Sequence, residues 1–129
     1  MCGIIGYVGK QKALPVILDG LKNMEYRGYD SGGVVVLQPE NRIKVQKAVG
    51  PILNLEEKLN GCDWQGTVGL GHVRWATHGS VTEKNAHPHS DCGQKIWVVH
   101  NGIVENYQEL KTALIKKGHK FRSETDTEI

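Results

Sequence analysis

Apolar positions come in short bursts whose period changes along the chain. Ile4, Ile5, Tyr7 and Val8, bounded by glycines, predict a buried first strand. From Leu14 the period lengthens. Leu14, Ile17, Leu18, Leu21 and Met24 fall on one helical face, Pro15 sits in the first turn and Gly28 marks the stop. GGVVVLQPENRIKVQKAV predicts a hairpin, with Pro39-Glu40-Asn41 as the turn and Ile43 and Val45 pointing inward. PILNLEEKLNG predicts a short helix opening at Pro51 and closing before Gly61. TVGLGHVRW is a further strand, and it runs into a long polar stretch, ATHGSVTEKNAHPHSDCG, of the kind that often carries function.

The apolar strand KIWVVH then ends at the turn signal Asn101-Gly102. Asn106 and Glu109 form a capping-box pattern for a helix with Leu110 and Leu114 on its apolar stripe and Gly118 at its close. HKFRS predicts one more strand. Thr125 or Asp126 has the form of an N-cap, so SETDTEI reads as a helix beginning and the chain as the first part of a longer domain.

Composition narrows the class. With 129 residues, 39% hydrophobic and 23% charged, the chain can bury a core as one domain or part of one. A net charge of +2 is too little basicity for a nucleic-acid partner. No apolar run approaches a membrane span, and MCGIIGYVG lacks the basic region of a signal peptide. Cys2, Cys62 and Cys92 include no CxxC pair, which suits a reducing compartment and predicts a cytoplasmic protein.

Several residues carry candidate chemistry. If Met1 is removed, Cys2 holds a thiol and a free α-amine together. That amine titrates at roughly 7.7–8.0, low enough to act as the base for its own thiol. A small buried hydrophobe is the other reading of Cys2. Asn101-Gly102 can offer a side-chain amide and a backbone N–H to an oxyanion, or can be only a turn. Arg74 has the planar fork that grips a carboxylate, or makes a surface ion pair beside a core Trp75. Asp126 can bind an ammonium or serve as a helix cap. His78, His87, His89 and Cys92 share one loop and leave a metal- or partner-binding module open, although zinc-site spacings are missing. No nucleotide-binding glycine motif occurs, and no cofactor or metal is expected.

MCGIIGYVG, EYRGYDSGG, GHVRWATHG, NAHPH, HNGIVENY and SETDTE, in that order, resemble the glutaminase domain of the glutamine–fructose-6-phosphate aminotransferases, which are class II glutamine amidotransferases. The resemblance covers essentially the whole chain. It implies an α+β fold of the N-terminal-nucleophile hydrolase type, a four-layer α/β/β/α sandwich with antiparallel sheets. It implies an enzyme of hexosamine biosynthesis that hydrolyses L-glutamine through a Cys2 thioester and supplies ammonia for turning fructose 6-phosphate into glucosamine 6-phosphate. The residue roles it implies are Cys2 as nucleophile, Asn101 and Gly102 as oxyanion hole, Arg74 on the substrate carboxylate and Asp126 on its ammonium. Trp75, Thr77, His78 and His87 would line the pocket, with Arg27 in support. The full-length family members imply a homo-oligomer.

Amidophosphoribosyltransferases share the Arg-Gly and His-Asn-Gly segments. They differ at Tyr26, Trp75, Thr77-His78-Gly79 and His87-Pro88-His89, which favours the hexosamine family. The family's glutaminase domain is longer and is followed by a sugar-isomerising half. Residues 1–129 are therefore expected to be its N-terminal part, with the sandwich incomplete, Asp126 poorly held and activity in doubt.

Overall fold

The computed structural model describes residues 2–76 and 79–129. The elements are β1 (Gly3–Val8), α1 (Ala13–Met24), a 3₁₀ turn (Glu25–Arg27), β2 (Ser31–Leu37), a second 3₁₀ turn (Pro39–Asn41), β3 (Ile43–Val49), α2 (Ile52–Leu59) and β4 (Val68–Arg74). Two short strands, β5 (His89–Ser90) and β6 (Trp97–Val98), precede α3 (Tyr107–Lys116) and a last 3₁₀ turn (Asp126–Glu128). The fold is α+β. Its main sheet has the order β1-β4-β2-β3 with every pairing antiparallel, and β5 pairs antiparallel with β6.

Side chains alternate across a strand, so each strand gives one row to the helices. Ile17 and Leu21 of α1 and Ile52 and Leu55 of α2 are completely or almost completely buried against Val34, Val36, Ala48 and Val73. At about 1.5–3 kcal/mol for each large apolar side chain buried, this layer is the main source of stability. The opposite row carries Ile4, Val8, Leu37 and Val45, all exposed. The first strand is thus half-buried rather than buried: β1 lies at the sheet edge, Ile5 and Tyr7 pack toward the core, and Val8 is 80% exposed. Val45, and with it Ile43 two residues earlier on the same face, likewise does not point toward the helices. Ala48 is the buried residue of β3, because the register puts Val45 opposite Val35 on the face away from the helices.

The second half departs further from the periodicity. HKFRS forms no strand, since side chains take its backbone donors: Lys120 N–H donates to Cys92 Sγ, and Arg122 N–H to Glu128 Oε1 at 2.7 Å. KIWVVH pairs over Trp97–Val98 alone. Just before it, Asp91 accepts the N–H groups of Gly93, Lys95 and Ile96 and forms a tight loop. Asn106 does occupy the N-cap of α3 but makes no side-chain cap bond, and α3 buries no residue completely.

The long polar stretch folds inward. Asn85, Ala86, His87, Pro88 and His89 are all buried. Their backbone runs directly against β2: a Cβ on Gly33 would collide with the His87 carbonyl, so only glycine allows this approach. Asn85 fastens the far end, donating to Glu124 Oε2 and accepting from Glu124 N–H, each at 2.9 Å.

Candidate active site

Antiparallel register builds the centre. Gly3 pairs with Val73, so the residue before β1 meets the residues that leave β4. Trp75 N–H donates to Cys2 Sγ at 3.2 Å, which fixes the direction of a half-buried thiol. Asp30 holds the same exit: its N–H donates to the Arg74 carbonyl at 3.3 Å, and its carboxylate accepts from Ala76 N–H.

Asn101 arrives from the distant segment after β6. Its Nδ2–H donates to the Cys2 carbonyl at 3.2 Å, while Oδ1 lies 2.8 Å from His72 Nε2. Gly102 has a φ of 153°, and a Cβ there would lie 2.8 Å from His100 Nε2. The φ favours glycine and a Cβ would press on the His100 ring, so Gly102 lets the chain turn beside the thiol where another residue would be strained.

These residues face a cleft of about 540 Å³ that Arg27, Arg74, Trp75, His87 and Asp126 also line. Arg74 is buried and donates to the carbonyls of Ser80 and Gly79 at 3.2 and 3.4 Å. Trp75 is half-exposed and meets Tyr29 edge-on, with ring centroids 5.7 Å apart. Asp126 is not poorly held. It is 4% exposed, and its Oδ2 accepts Val104 N–H at 2.6 Å. The anchor comes from the chain just past Gly102, so the last turn is fixed by a partner already present. Thr125, not Asp126, occupies the cap position of that turn.

Two lining groups expected from the sequence, Thr77 and His78, lie outside the described residues. The structure adds His100, Ile103, Thr125 and Thr127 to the cleft wall. His100 directly precedes Asn101 and could have been taken from the same motif; the two threonines flank Asp126. Asp30 could have been read from EYRGYDSGG.

Behind the cleft stands a row of imidazoles. His72 stacks on His87 with centroids 4.1 Å apart, and His87 meets His89 at 4.6 Å. Thr125 Oγ1 lies 3.0 Å from His89 Nε2. Burial lowers all three: His72 and His89 to about 4, and His87 further still with its two imidazole neighbours adding to the effect. All three are therefore neutral near pH 7. Among the described residues, no three His, Cys, Asp or Glu side chains converge as a metal ion would require.

The arrangement places a thiol, an outward amide, a guanidinium and a carboxylate around one cleft. A glutamine amidotransferase domain model matches residues 58–129, more than half of the chain. The chain belongs to the glutamine amidotransferase domain family. This amidotransferase domain is 57% identical over 129 residues to the glutamine–fructose-6-phosphate aminotransferase [isomerizing] of Pyrococcus horikoshii. It is 55% identical to that of Methanococcus maripaludis. Each match covers all of this chain and 21% of the relative, so the chain spans about a fifth of the length of these relatives.

Among solved structures, the glutamine phosphoribosylpyrophosphate amidotransferase of B. subtilis, complexed with ADP and GMP, superposes with a TM-score of 0.80 at 28% identity. A structure described as the allosteric regulatory enzyme of purine biosynthesis gives 0.84 at 27%. Both likenesses cover 99% of this amidotransferase domain and 28% of the other chain. The fold is accordingly of the N-terminal-nucleophile hydrolase type. Among the described residues, no helix is long and apolar enough to cross a membrane.

Proposed function

We propose that residues 1–129 are the N-terminal part of the glutaminase domain of a glutamine–fructose-6-phosphate aminotransferase. The observation that carries this reading is the meeting of Cys2, Asn101-Gly102, Arg74 and Asp126 at one cleft. A free amino acid with a side-chain amide presents three things to bind: an α-carboxylate, an α-ammonium and a reacting carbonyl. Arg74 takes the first, Asp126 the second, and Asn101 with Gly102 the oxygen of the third. Trp75 and His87 wall the pocket and Arg27 supports the rim; the family resemblance adds Thr77 and His78 as further substrate-binding residues.

After removal of Met1, the Cys2 α-amine accepts the thiol proton as sulfur attacks the amide carbon. The carbonyl oxygen becomes an oxyanion held by Asn101 Nδ2–H and Gly102 N–H. When the intermediate collapses, the C–N bond breaks and the α-ammonium returns a proton to the leaving nitrogen, which departs as ammonia. Water then hydrolyses the thioester to glutamate. In the full-length enzyme the ammonia converts fructose 6-phosphate to glucosamine 6-phosphate. The 53–57% identity to aminotransferases of that name supports this acceptor over phosphoribosylpyrophosphate, whose enzyme is 28% identical. L-glutamine and fructose 6-phosphate are thus the partners, with no nucleic acid or membrane. The three free thiols suit a cytoplasmic protein, and the homo-oligomer is what the resemblance to the full-length family implies.

The test is glutamate release by the full-length enzyme, with mass measurement of Cys2 after exposure to an electrophilic glutamine analogue. Stoichiometric labelling of Cys2 and loss of activity on forced retention of Met1 are expected. Equal rates with and without Met1 would sink the tethered base.

A further inference from the structure

The orientation of the Asn101 amide follows from what surrounds it. A backbone carbonyl can only accept, so the Cys2 carbonyl at 3.2 Å must face Nδ2. Oδ1 then faces His72 Nε2 at 2.8 Å. His72 is completely buried in β4, and burial keeps it neutral, so it carries a single ring proton. An oxygen acceptor draws that proton to Nε2. The other ring nitrogen, Nδ1, is buried and makes no hydrogen bond, in keeping with its bare lone pair. Rotation of the ring is blocked on its face by His87, stacked at 4.1 Å and interplanar 16°.

We propose that His72 is a positioning residue for the amide hydrolysis: its Nε2–H holds Asn101 Oδ1 inward, so that the remaining Nδ2 proton points to the developing oxyanion. A flipped amide would set Oδ1 against that oxyanion and turn a donor into a repulsive acceptor. His72 never touches glutamine; it lies outside the cleft lining and acts through Asn101. The inference rests on the assignment of Asn101 as oxyanion donor made above.

The roles separate by kinetics in the full-length enzyme. His72→Phe keeps a flat ring in the stack but removes the donor. Its kcat for glutamine should fall by about tenfold or more, and no further than the 10²–10³ expected for Asn101→Ala. KM should stay within about twofold, because the oxyanion forms only in the transition state. His72→Gln, whose amide nitrogen reaches about as far as Nε2, should recover most of the rate; His72→Asn, one methylene shorter, should not. In an Asn101→Ala background, His72→Phe should cost nothing more.

A fall in kcat for Asn101→Ala with no change for His72→Phe would overturn the inference and leave the oxyanion assignment standing. No effect of either would overturn both. Additive losses in the double variant, or equal rates for His72→Gln and His72→Asn, would show that His72 acts other than through Asn101. If His72→Phe does not fold, the Gln and Asn pair decides by the same criterion.

Discussion

The two faces of the main sheet are held by different physics. Toward α1 and α2 the contact is dry and apolar, made by Ile17, Leu21, Ile52 and Leu55 over Val34, Val36 and Val73. Toward the cleft, the buried groups are His72, Arg74, Asn85, His87, His89, Thr125 and Asp126. An apolar layer tolerates changes that keep volume, because its attraction has no direction. A buried polar layer works only when each donor meets its acceptor, and a single missing partner leaves another group stranded. The first layer therefore sets how stable the sheet is; the second sets where the cleft groups stand.

Substitutions can break this division. The largest effect should come from Cys2→Ala, which takes glutamate release to background while leaving the unfolding transition close to wild type. A large loss of stability would mean that the thiol is a core group and would blur the two layers. Next comes Asn101→Ala, with kcat lowered by about 10²–10³, or about 2.7–4 kcal/mol of transition-state stabilisation. An unchanged kcat would reduce Asn101-Gly102 to a corner.

Acid should find the polar layer specifically. His72 and His89 sit at about 4 in the folded chain against 6.5 when free. Between those values the unfolded chain binds protons that the folded one refuses. Stability is thus complete above about 6.5 and falls as pH drops toward 4, by up to about 1.4 kcal/mol per pH unit for each histidine. Denaturant midpoints at pH 7 and pH 5 measure this, and His89→Phe should reduce the slope. The smallest effect belongs to the dry layer: Ile17→Val should cost about 0.5–1.5 kcal/mol, independent of pH and without altering kcat per folded molecule. A change in kcat would show that helix packing reaches the cleft.

The same division explains what the sequence made legible. α1 could be read from Leu14, Ile17, Leu18 and Leu21 because helical spacing and burial coincide there. α2, the hairpin and β4 followed for the same reason. Val45 misled because alternation tells which residues share a face but not which face the helices cover. Around the cleft, periodicity says little. The burial of residues 85–89 depends on contacts with β2 and Glu124, far away in sequence. Cys2, Arg74 and Asn101 were recognisable as chemistry; His72 was not, since a histidine between glycine and valine in a strand gives no hint of an amide 29 residues later.

The bond from Asn101 to the Cys2 carbonyl joins positions 99 residues apart. Its consequence is temporal. Ribosomes release Cys2 first, and Asn101 emerges only after α1, α2 and the whole main sheet have been synthesised. The β1–β4 pairing already holds Cys2 beside Trp75, so what remains to close is the shorter loop from there to Asn101. Through most of synthesis the chain therefore carries its thiol without the amide placed beside it, and the cleft acquires its full set of groups only as the fold completes.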